Sequence, residues 1–323
     1  METAQVTPSG FGQIKLFGGS GNPDLAQKIS DALGIPLSPW EIIQFPNENL
    51  FIRLGSSVRG QDVYIIQSHC RPVHKNIMEM LIAIDAMHRG SAGRITVVMP
   101  YLAYSQSDKK DQPRVPITAR LMADMIEAAG ADRWVTIDLH ADQIMGFYKI
   151  PGDALPIHYE LVKELKKRDL SNAMIVSPDL GFAKKARNYA SDLQIPLAFV
   201  EKRRIGNSGS KEALNIIGDV KGKNVFITDD IVDTGGSITK AVELVKKNGA
   251  LDVSIVFTHA VLSDPATERL AAAPIKEIIT TDTIPIPSHK MLPNTTIVTV
   301  ANLLSEVIKR SHEGSSVGEF LGE

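Results

Sequence analysis

Short runs of β-branched and apolar residues alternate along the chain with longer stretches in which apolar positions recur at helical spacing. The apolar runs predict strands at Asp62–Gln67, Ile95–Met99, Trp134–Asp138, Ala173–Ser177, Leu197–Glu201, Val225–Asp229 and Val253–His259. The longer stretches predict helices at Asp24–Leu33, Asn76–Arg89, Ile117–Ala129, Ile157–Arg168, Phe182–Leu193, Ser237–Asn248 and Pro265–Ala272. Because strands that alternate with helices form βαβ units, the pattern predicts an α/β fold with mainly parallel sheets flanked by helices.

One turn divides this alternation into two halves of similar length. It spans residues 150–156 and contains Pro151, Gly152 and Pro156, which are residues that interrupt helices and strands. A chain of 323 residues is long enough for two domains of ordinary size. We therefore predict an N-terminal domain at residues 12–155 and a C-terminal domain at residues 156–323.

The composition narrows the classes of partner. With 43% apolar residues, 22% charged residues and a net charge of −2, the chain is typical of a globular protein and has no overall charge that would favour nucleic acid or an anionic membrane. Cys70 is the only cysteine, so no internal disulfide can form, which fits a reducing compartment. The polar N-terminus is unlike a signal peptide, and the apolar runs are too short to span a membrane. These features predict a cytoplasmic protein with neither nucleic acid nor membrane as a partner.

A phosphate-binding loop is predicted where an apolar strand, two carboxylates and a glycine pair precede a helix. Glycine lets backbone N–H groups approach a phosphate, and the N-terminus of the following helix favours negative charge. Hydroxyls in the loop can donate further hydrogen bonds, and acids at the carboxyl end of a parallel strand suit the hydroxyls of a sugar. The residues concerned are Asp229, Asp230, Asp233, Thr234, Gly235, Gly236 and Ser237. An ordinary turn that caps a helix would also fit the loop, although two consecutive acids after an apolar strand argue against it.

Two further groups of polar residues follow predicted strands. Asp138-Leu139-His140 comes after one strand, and an imidazole beside carboxylates can orient a hydrated Mg²⁺ held mainly by phosphate oxygens. Lys202-Arg203-Arg204 follows another strand and precedes a glycine- and serine-rich loop. A single histidine is more often structural, and a run of charges is usually solvated. Position at the carboxyl end of a strand, where α/β enzymes place their sites, favours the functional interpretation.

The phosphate loop resembles that of phosphoribosyltransferases and of phosphoribosyl diphosphate synthetases, and the rest of the chain resembles the synthetases. The matching segments are Asp62–Ser68, Ile77–Ile82, Asp138–Ile144, Val176–Asp179, Lys202–Arg204 and Thr258–Ser263. The chain is thus similar to the ribose-phosphate diphosphokinase family from about Lys15 to its C-terminus.

This resemblance implies a reaction and roles for residues. It implies two phosphoribosyltransferase-like domains and an Mg²⁺-dependent transfer of a diphosphoryl group from ATP to ribose 5-phosphate. It also implies a homo-oligomer built from dimers, up to a hexamer, in which a neighbouring subunit completes the nucleotide site. The roles implied are Lys202 and Arg204 in catalysis, His140, Asp179 and Asp138 at the metal, and Phe45, Asn47, Asn49, Gln106, Ser107 and Asp108 at the nucleotide.

The predicted nucleotide site departs from the family pattern. Asn49 stands where the family usually has an acid, and Gln106 and Ser107 replace an arginine and a glutamine. Glutamine cannot reproduce the fixed, charged fork of a guanidinium. These departures leave open a non-catalytic paralogue that regulates active synthetase subunits. A second alternative, a phosphoribosyltransferase that consumes phosphoribosyl diphosphate, stays open because the phosphate loop is similar in both families.

Overall fold

The computed structural model describes residues 10–205 and 211–321, and of residues 202–205 and 211–214 it describes the backbone alone. As far as Leu155 the elements are β1 (Ile14–Gly18), α1 (Pro23–Leu33), β2 (Trp40–Gln44), β3 (Leu50–Leu54), β4 (Asp62–Ile66), α2 (Val73–Arg89), β5 (Arg94–Met99), α3 (Thr118–Ala129), β6 (Arg133–Ile137), a 3-10 helix (Asp142–Phe147) and β7 (Gly152–Leu155).

The elements beyond Leu155 continue the alternation of strand and helix. They are α4 (His158–Leu165), β8 (Ala173–Ser177), α5 (Ala183–Leu193), β9 (Leu197–Ile205), β10 (Lys211–Ile217), β11 (Asn224–Val232), α6 (Gly236–Lys247), β12 (Val253–Ala260), α7 (Ala266–Ala272), β13 (Glu277–Thr281), a 3-10 helix (Ser288–Lys290), β14 (Thr295–Val298), α8 (Ala301–Glu313) and α9 (Val317–Leu321).

The described residues form two compact units. The first contains those of Met1–Leu155, Thr283–Pro285 and Thr299–Glu323, and the second contains those of Pro156–Asp282 and Ile286–Val298. Assignment of the whole of residues 156–323 to one domain therefore needs a correction, since α8 belongs to the first unit. The physical reason is that the apolar side of α8, which includes the buried Leu304 and Val307, packs against α1.

The first unit is built on a sheet of five strands. Its order is β1-β4-β5-β6-β7, and every neighbouring pair is parallel. A separate antiparallel hairpin is formed by β2 and β3. Trp134 of β6 lies fully buried against Tyr148, with ring centroids 4.4 Å apart. A Cβ on Gly152 would come within 2.2 Å of that indole, so glycine is required where β7 passes Trp134.

The second unit contains a sheet of seven strands in the order β10-β9-β8-β11-β12-β13-β14. Only the β9–β10 pairing is antiparallel, and the other five are parallel. The central strands β11 and β12 are buried along most of their length, as parallel strands covered on both faces are. The α/β fold with mainly parallel sheets is thus confirmed.

Two predicted strands are longer in the structure. Strand β9 continues to Ile205 because its second half pairs with β10, which no pattern in the sequence indicated. Strand β11 continues to Val232, because Ile231 and Val232 pair with His259 and Ala260 of β12 and are themselves buried. Asp230, predicted to follow the strand that ends at Asp229, therefore lies within β11.

Candidate phosphate-binding site

The candidate site lies in the second unit, where β11 ends and α6 begins. Asp233 and Thr234 form an exposed turn, and Gly235 has φ +73°, a backbone conformation that costs an L side chain about 1 kcal/mol or more. The Thr239 hydroxyl donates to the Gly235 carbonyl at 2.8 Å, which fixes the first turn of α6. The N-cap residue, Gly235, has no side chain that could cap this helix. Ser237 is exposed on the first turn of α6. The turn therefore offers helix N–H groups and two hydroxyls to an anion.

Three carboxylates crowd this end of the sheet. Asp229 lies in β11 beside the buried Asp230, whose backbone N–H donates to Asp229 Oδ1 at 2.9 Å. Asp179 follows β8, which is the parallel neighbour of β11. Burial raises the pKa of the Asp229 carboxyl well above its usual range, and the negative charges of Asp230 and Asp179 raise that pKa further. The buried Asp229 carboxyl and its two acidic neighbours therefore favour a proton or a cation at this end of the sheet.

Asp179 also has a structural role. Its Oδ1 accepts a hydrogen bond from the Phe182 N–H at 3.1 Å, and its carbonyl accepts one from the Ser177 hydroxyl at 2.6 Å. These two bonds shape the turn between β8 and α5. The Asp179 carboxylate is half-buried, so it is held in a defined place at the carboxyl end of the strand.

The backbone of Lys202 and Arg204 lies on β9, which is the parallel neighbour of β8 on the side away from β11. Both residues pair with β10, Lys202 with Leu214 and Arg204 with Glu212. Their side chains are outside the described part of the chain, as is the predicted loop at residues 206–210. Their catalytic role stays a prediction.

Asp138 and His140 belong to the first unit, where they follow β6. Asp138 has φ +41°, an uncommon value for a residue other than glycine, and its N–H donates to the Leu155 carbonyl at 3.0 Å. His140 is exposed and Asp138 is half-buried. The three predicted metal ligands are therefore divided between the units, with Asp179 in the second.

Among the residues that the structure describes, no group of three or more acidic, histidine or cysteine side chains could hold a metal ion without help. The oxygens of Asp229, Asp230 and Asp179 are nevertheless the donor type that Mg²⁺ prefers. A magnesium ion here would take most of its ligands from substrate phosphates and water.

The predicted nucleotide residues of the β2–β3 hairpin lie in its connecting turn. Phe45 is exposed and stands near Phe51, with ring centroids 6.3 Å apart. The Phe45 N–H donates to the Asn49 carbonyl at 2.8 Å, and the Asn47 side chain accepts from the Asn49 N–H at 3.2 Å. The turn thus uses Asn47 to hold its own shape while it exposes an aromatic ring.

The other predicted nucleotide residues lie in the loop between β5 and α3. Gln106 is exposed, whereas the Ser107 hydroxyl accepts a hydrogen bond from the Thr118 N–H at 3.3 Å and the Ser107 carbonyl accepts one from the Ala119 N–H at 3.1 Å. Asp108 is buried and accepts a hydrogen bond from the Gln143 amide. Ser107 and Asp108 therefore have structural partners, and Gln106 alone of the three is open to solvent.

Two family models and several curated relatives match this chain. The family model for the N-terminal domain of ribose phosphate pyrophosphokinase matches residues 14–130, and that for the phosphoribosyl synthetase-associated domain matches residues 204–321. A ribose-phosphate pyrophosphokinase of Caldanaerobacter subterraneus subsp. tengcongensis is 46% identical over 95% of this chain and 97% of its own. That of Campylobacter jejuni is 45% identical, over 95% of this chain and 98% of its own. The chain belongs to the ribose-phosphate pyrophosphokinase family.

A solved structure supports the same assignment. The phosphoribosylpyrophosphate synthetase from Mycobacterium smegmatis is 41% identical and superposes with a TM-score of 0.90 over 94% of this chain and all of that chain. Ribose-phosphate diphosphokinase and ribose-phosphate pyrophosphokinase are two names for one family. The family predicted from the sequence is therefore confirmed, and so is the prediction that the chain is an enzyme. No helix in the described part of the chain is both long and apolar enough to cross a membrane.

Two features of this chain were not found from the sequence. Arg269 of α7 donates through Nη1 to the Thr234 carbonyl of the phosphate loop at 2.9 Å, across 35 positions of sequence. The Tyr104 hydroxyl and the Nε2 of His74 lie 2.8 Å apart, beside the loop that carries Gln106. No local pattern marks either contact, because each one depends on the packing of segments that are distant in sequence.

Proposed function

We propose that this protein transfers the β,γ-diphosphoryl group of ATP to the C1 hydroxyl of ribose 5-phosphate. The C1 oxygen attacks the β-phosphorus, and a new P–O bond forms. The bond from the β-phosphorus to the oxygen bridging it to the α-phosphorus breaks, AMP leaves with that oxygen, and the hydroxyl proton is released. The products are phosphoribosyl diphosphate and AMP. The observation that carries the proposal is the phosphate loop at Asp233–Ser237 in a chain of the pyrophosphokinase family.

Ribose 5-phosphate would bind with its phosphate on the loop. The N–H groups of Gly236 and Ser237 begin α6, and the hydroxyls of Thr234 and Ser237 are exposed beside them. Asp229 and Asp230 lie in β11, just ahead of the loop. They would accept hydrogen bonds from the ribose hydroxyls. The two acids would orient the ribose, and the loop would bind the negatively charged phosphate group.

Positioning and electrostatics would supply most of the catalysis, as in other phosphoryl transfers. Lys202 and Arg204 would neutralise the charge that develops on the transferring group. Mg²⁺, bound through phosphate oxygens with Asp179, His140 and Asp138 as its protein partners, would supply alignment and charge neutralisation of the triphosphate. Within the second unit, the carboxylates of Asp230 and Asp179 near Asp229 favour a cation beside Asp179.

ATP is the proposed donor, and a homo-oligomer built from dimers, up to a hexamer, is the proposed assembly. Gln106, exposed beside α3, and Phe45 with Asn47 and Asn49 in the hairpin turn would contact the nucleotide, the hairpin residues from an adjacent subunit. Ser107 and Asp108 would act by holding that loop in shape. The single, buried cysteine agrees with the cytoplasm as the proposed location.

The test is ³¹P NMR of the purified protein with ribose 5-phosphate, Mg²⁺ and ATP, repeated with other nucleoside triphosphates. We expect phosphoribosyl diphosphate and AMP to appear together, with relative rates that identify the donor. Absence of product with every triphosphate, combined with stimulation of an active synthetase by this chain, would support the regulatory paralogue. Release of diphosphate that requires a nucleobase would support the transferase.

A matched pair of lysine variants tests the mechanism. Lys202→Ala should lower kcat by about 100-fold, the effect of one well-placed electrostatic donor at roughly 3 kcal/mol, and should leave the KM for ribose 5-phosphate nearly unchanged. Lys247→Ala, an exposed position at the end of α6, should leave both constants unchanged. Equal kcat values for the two variants would remove Lys202 from the mechanism.

A further inference from the structure

Arg269 contacts the phosphate loop from a different segment of the chain. It lies on α7, and its Nη1 donates to the Thr234 carbonyl at 2.9 Å. The same helix packs on the loop through Ala266, whose Cα lies 3.4 Å from the place where a Cβ on Gly235 would stand. Helix α7 thus supports the turn that leads into α6.

The guanidinium also lies next to the first helical amide of the loop. A Cβ on Gly236 would stand 3.4 Å from Arg269 Nη1, so the guanidinium lies within van der Waals range of this residue. Arg269 is exposed. A guanidinium has five N–H donors, and the bond to Thr234 uses one of them, so donors remain for an anion bound at the loop.

The charge balance of the loop calls for such a cation. Three acidic residues lie in the five-residue stretch that leads into the loop, and they are Asp229, Asp230 and Asp233. A phosphate monoester carries close to two negative charges at neutral pH, and like charges at close range repel it. Arginine binds phosphate oxygens through parallel hydrogen bonds and offsets this repulsion.

We propose that Arg269 is a further substrate-binding residue of this site. Its bond to Thr234 fixes the main chain of the loop, and its remaining donors bind the phosphate group of the sugar phosphate. The inference rests on the proposed function, because it assigns a residue to the same site.

Binding can be measured without turnover by calorimetric titration of the full chain with ribose 5-phosphate in the absence of nucleotide. Arg269→Ala should weaken binding by about tenfold or more, the loss expected when a charge-assisted hydrogen bond is removed. Arg269→Lys should fall between this variant and the wild type, because lysine keeps the charge without the planar fork. Arg187→Ala, which removes an exposed arginine from α5 of the same unit, should bind as the wild type does.

Two further readouts separate phosphate binding from a purely structural effect. Added salt should weaken binding to the wild type more steeply than binding to Arg269→Ala, because the variant lacks the charge that salt screens. In turnover, Arg269→Ala should raise the KM for ribose 5-phosphate and leave the KM for ATP within about twofold of the wild-type value.

The outcomes are distinct. Arg269 is not a phosphate ligand if Arg269→Ala binds ribose 5-phosphate as tightly as Arg187→Ala does. The same holds if Arg269→Lys binds no more tightly than Arg269→Ala. Neither result contradicts the proposed function, provided that the wild type is active. If the wild type itself neither binds ribose 5-phosphate nor converts it, the proposed function fails and this inference fails with it.

Discussion

Arg94 and Asp62 form a two-pronged ion pair in the first unit, with Arg94 Nε 2.8 Å from Asp62 Oδ1 and Arg94 Nη2 2.6 Å from Asp62 Oδ2. The same Nη2 donates to the Ser311 carbonyl at 2.9 Å, and His312 Nδ1 lies 2.8 Å from Asp62 Oδ2. Burial, together with the negative charge of Asp62, raises the pKa of Tyr64 above its usual range, so the phenol stays protonated and donates to Asp62. The pair therefore joins two neighbouring strands to the C-terminal end of α8.

Removal of the Asp62 charge should destabilise the first unit. Asp62 is fully buried, so Asp62→Asn leaves the Arg94 guanidinium without its counterion and should cost about 3 kcal/mol or more. Trp40 and Trp134 are the only tryptophans of the chain and both lie in the first unit, so their fluorescence during urea unfolding reports on it. Asp85→Asn, which breaks the exposed pair with Arg89, should cost less than about 0.5 kcal/mol. Equal losses in the two variants would contradict the role given to Asp62.

His69 should make the first unit less stable in mild acid. Burial lowers the pKa of His69 from 6.5 to about 4, and its Nδ1 is buried without a hydrogen-bond partner. Between these two pH values the unfolded chain binds the proton and the folded chain does not, so stability falls as the pH drops from 6.5 towards 4. At pH 5 the loss from this group should be about 2 kcal/mol.

The same tryptophan measurement at pH 7.5 and pH 5 checks this prediction. His69→Leu removes the titrating group and should lose less stability between the two pH values than the wild type does. His88→Gln, at an exposed position on α2, should keep the wild-type difference. A wild-type difference retained in His69→Leu would assign the acid sensitivity to another group.

Gly235→Ala should impair the phosphate loop beyond its cost in stability. Gly235 and Gly222 both have positive φ, +73° and +70°, so alanine at either position strains the backbone by about 1 kcal/mol. Gly222 lies in a turn ahead of β11, and a Cβ there meets nothing within 4 Å. Both variants should have slightly lower melting temperatures than the wild type. Gly235→Ala alone should raise the KM for ribose 5-phosphate, by about tenfold, because the strain displaces the loop amides. The same rise in Gly222→Ala would mean that general destabilisation is the cause.

Ser107 and Gln106 should respond to alanine in opposite ways. The Ser107 hydroxyl accepts from the Thr118 N–H at the start of α3, and Ser107→Ala removes that acceptor while the carbonyl bond to Ala119 remains. Ser107→Ala should therefore lower stability by about 1 kcal/mol and change the KM for ATP little. Gln106→Ala, at an exposed position, should leave stability unchanged and raise the KM for ATP. Thermal melting and initial-rate kinetics of the two variants decide the point. A raised KM for ATP in Ser107→Ala with an unchanged melting temperature would mean that Ser107 contacts the nucleotide.

Much of the fold was open to prediction because its signals are local. The alternation of apolar runs with helical spacing depends on near neighbours in the chain, and the strands and helices predicted from it are present in the structure within a few residues of their expected ends. The strands and α-helices that escaped prediction are β1, β2, β3, β7, β10, β13, β14, α8 and α9. Among them, β10 and β14 are edge strands with few buried residues among those described. Their strand character comes from pairing with a neighbour, which a single segment cannot reveal.

By itself, the sequence determined the class of the fold and the family, since both rest on patterns of residues in successive segments of the chain. The phosphate loop also has a local pattern, and its role stays a prediction. Tertiary structure alone decided that β11 extends beyond Asp229 to Val232, because that requires pairing with β12. It likewise placed α8 in the first unit, where α8 packs against α1 and its C-terminal end bonds to Arg94 and Asp62. It also placed Arg269 at the Thr234 carbonyl. These contacts join residues tens to hundreds of positions apart, and their energy comes from burial and from charges brought together by packing, which no local pattern encodes.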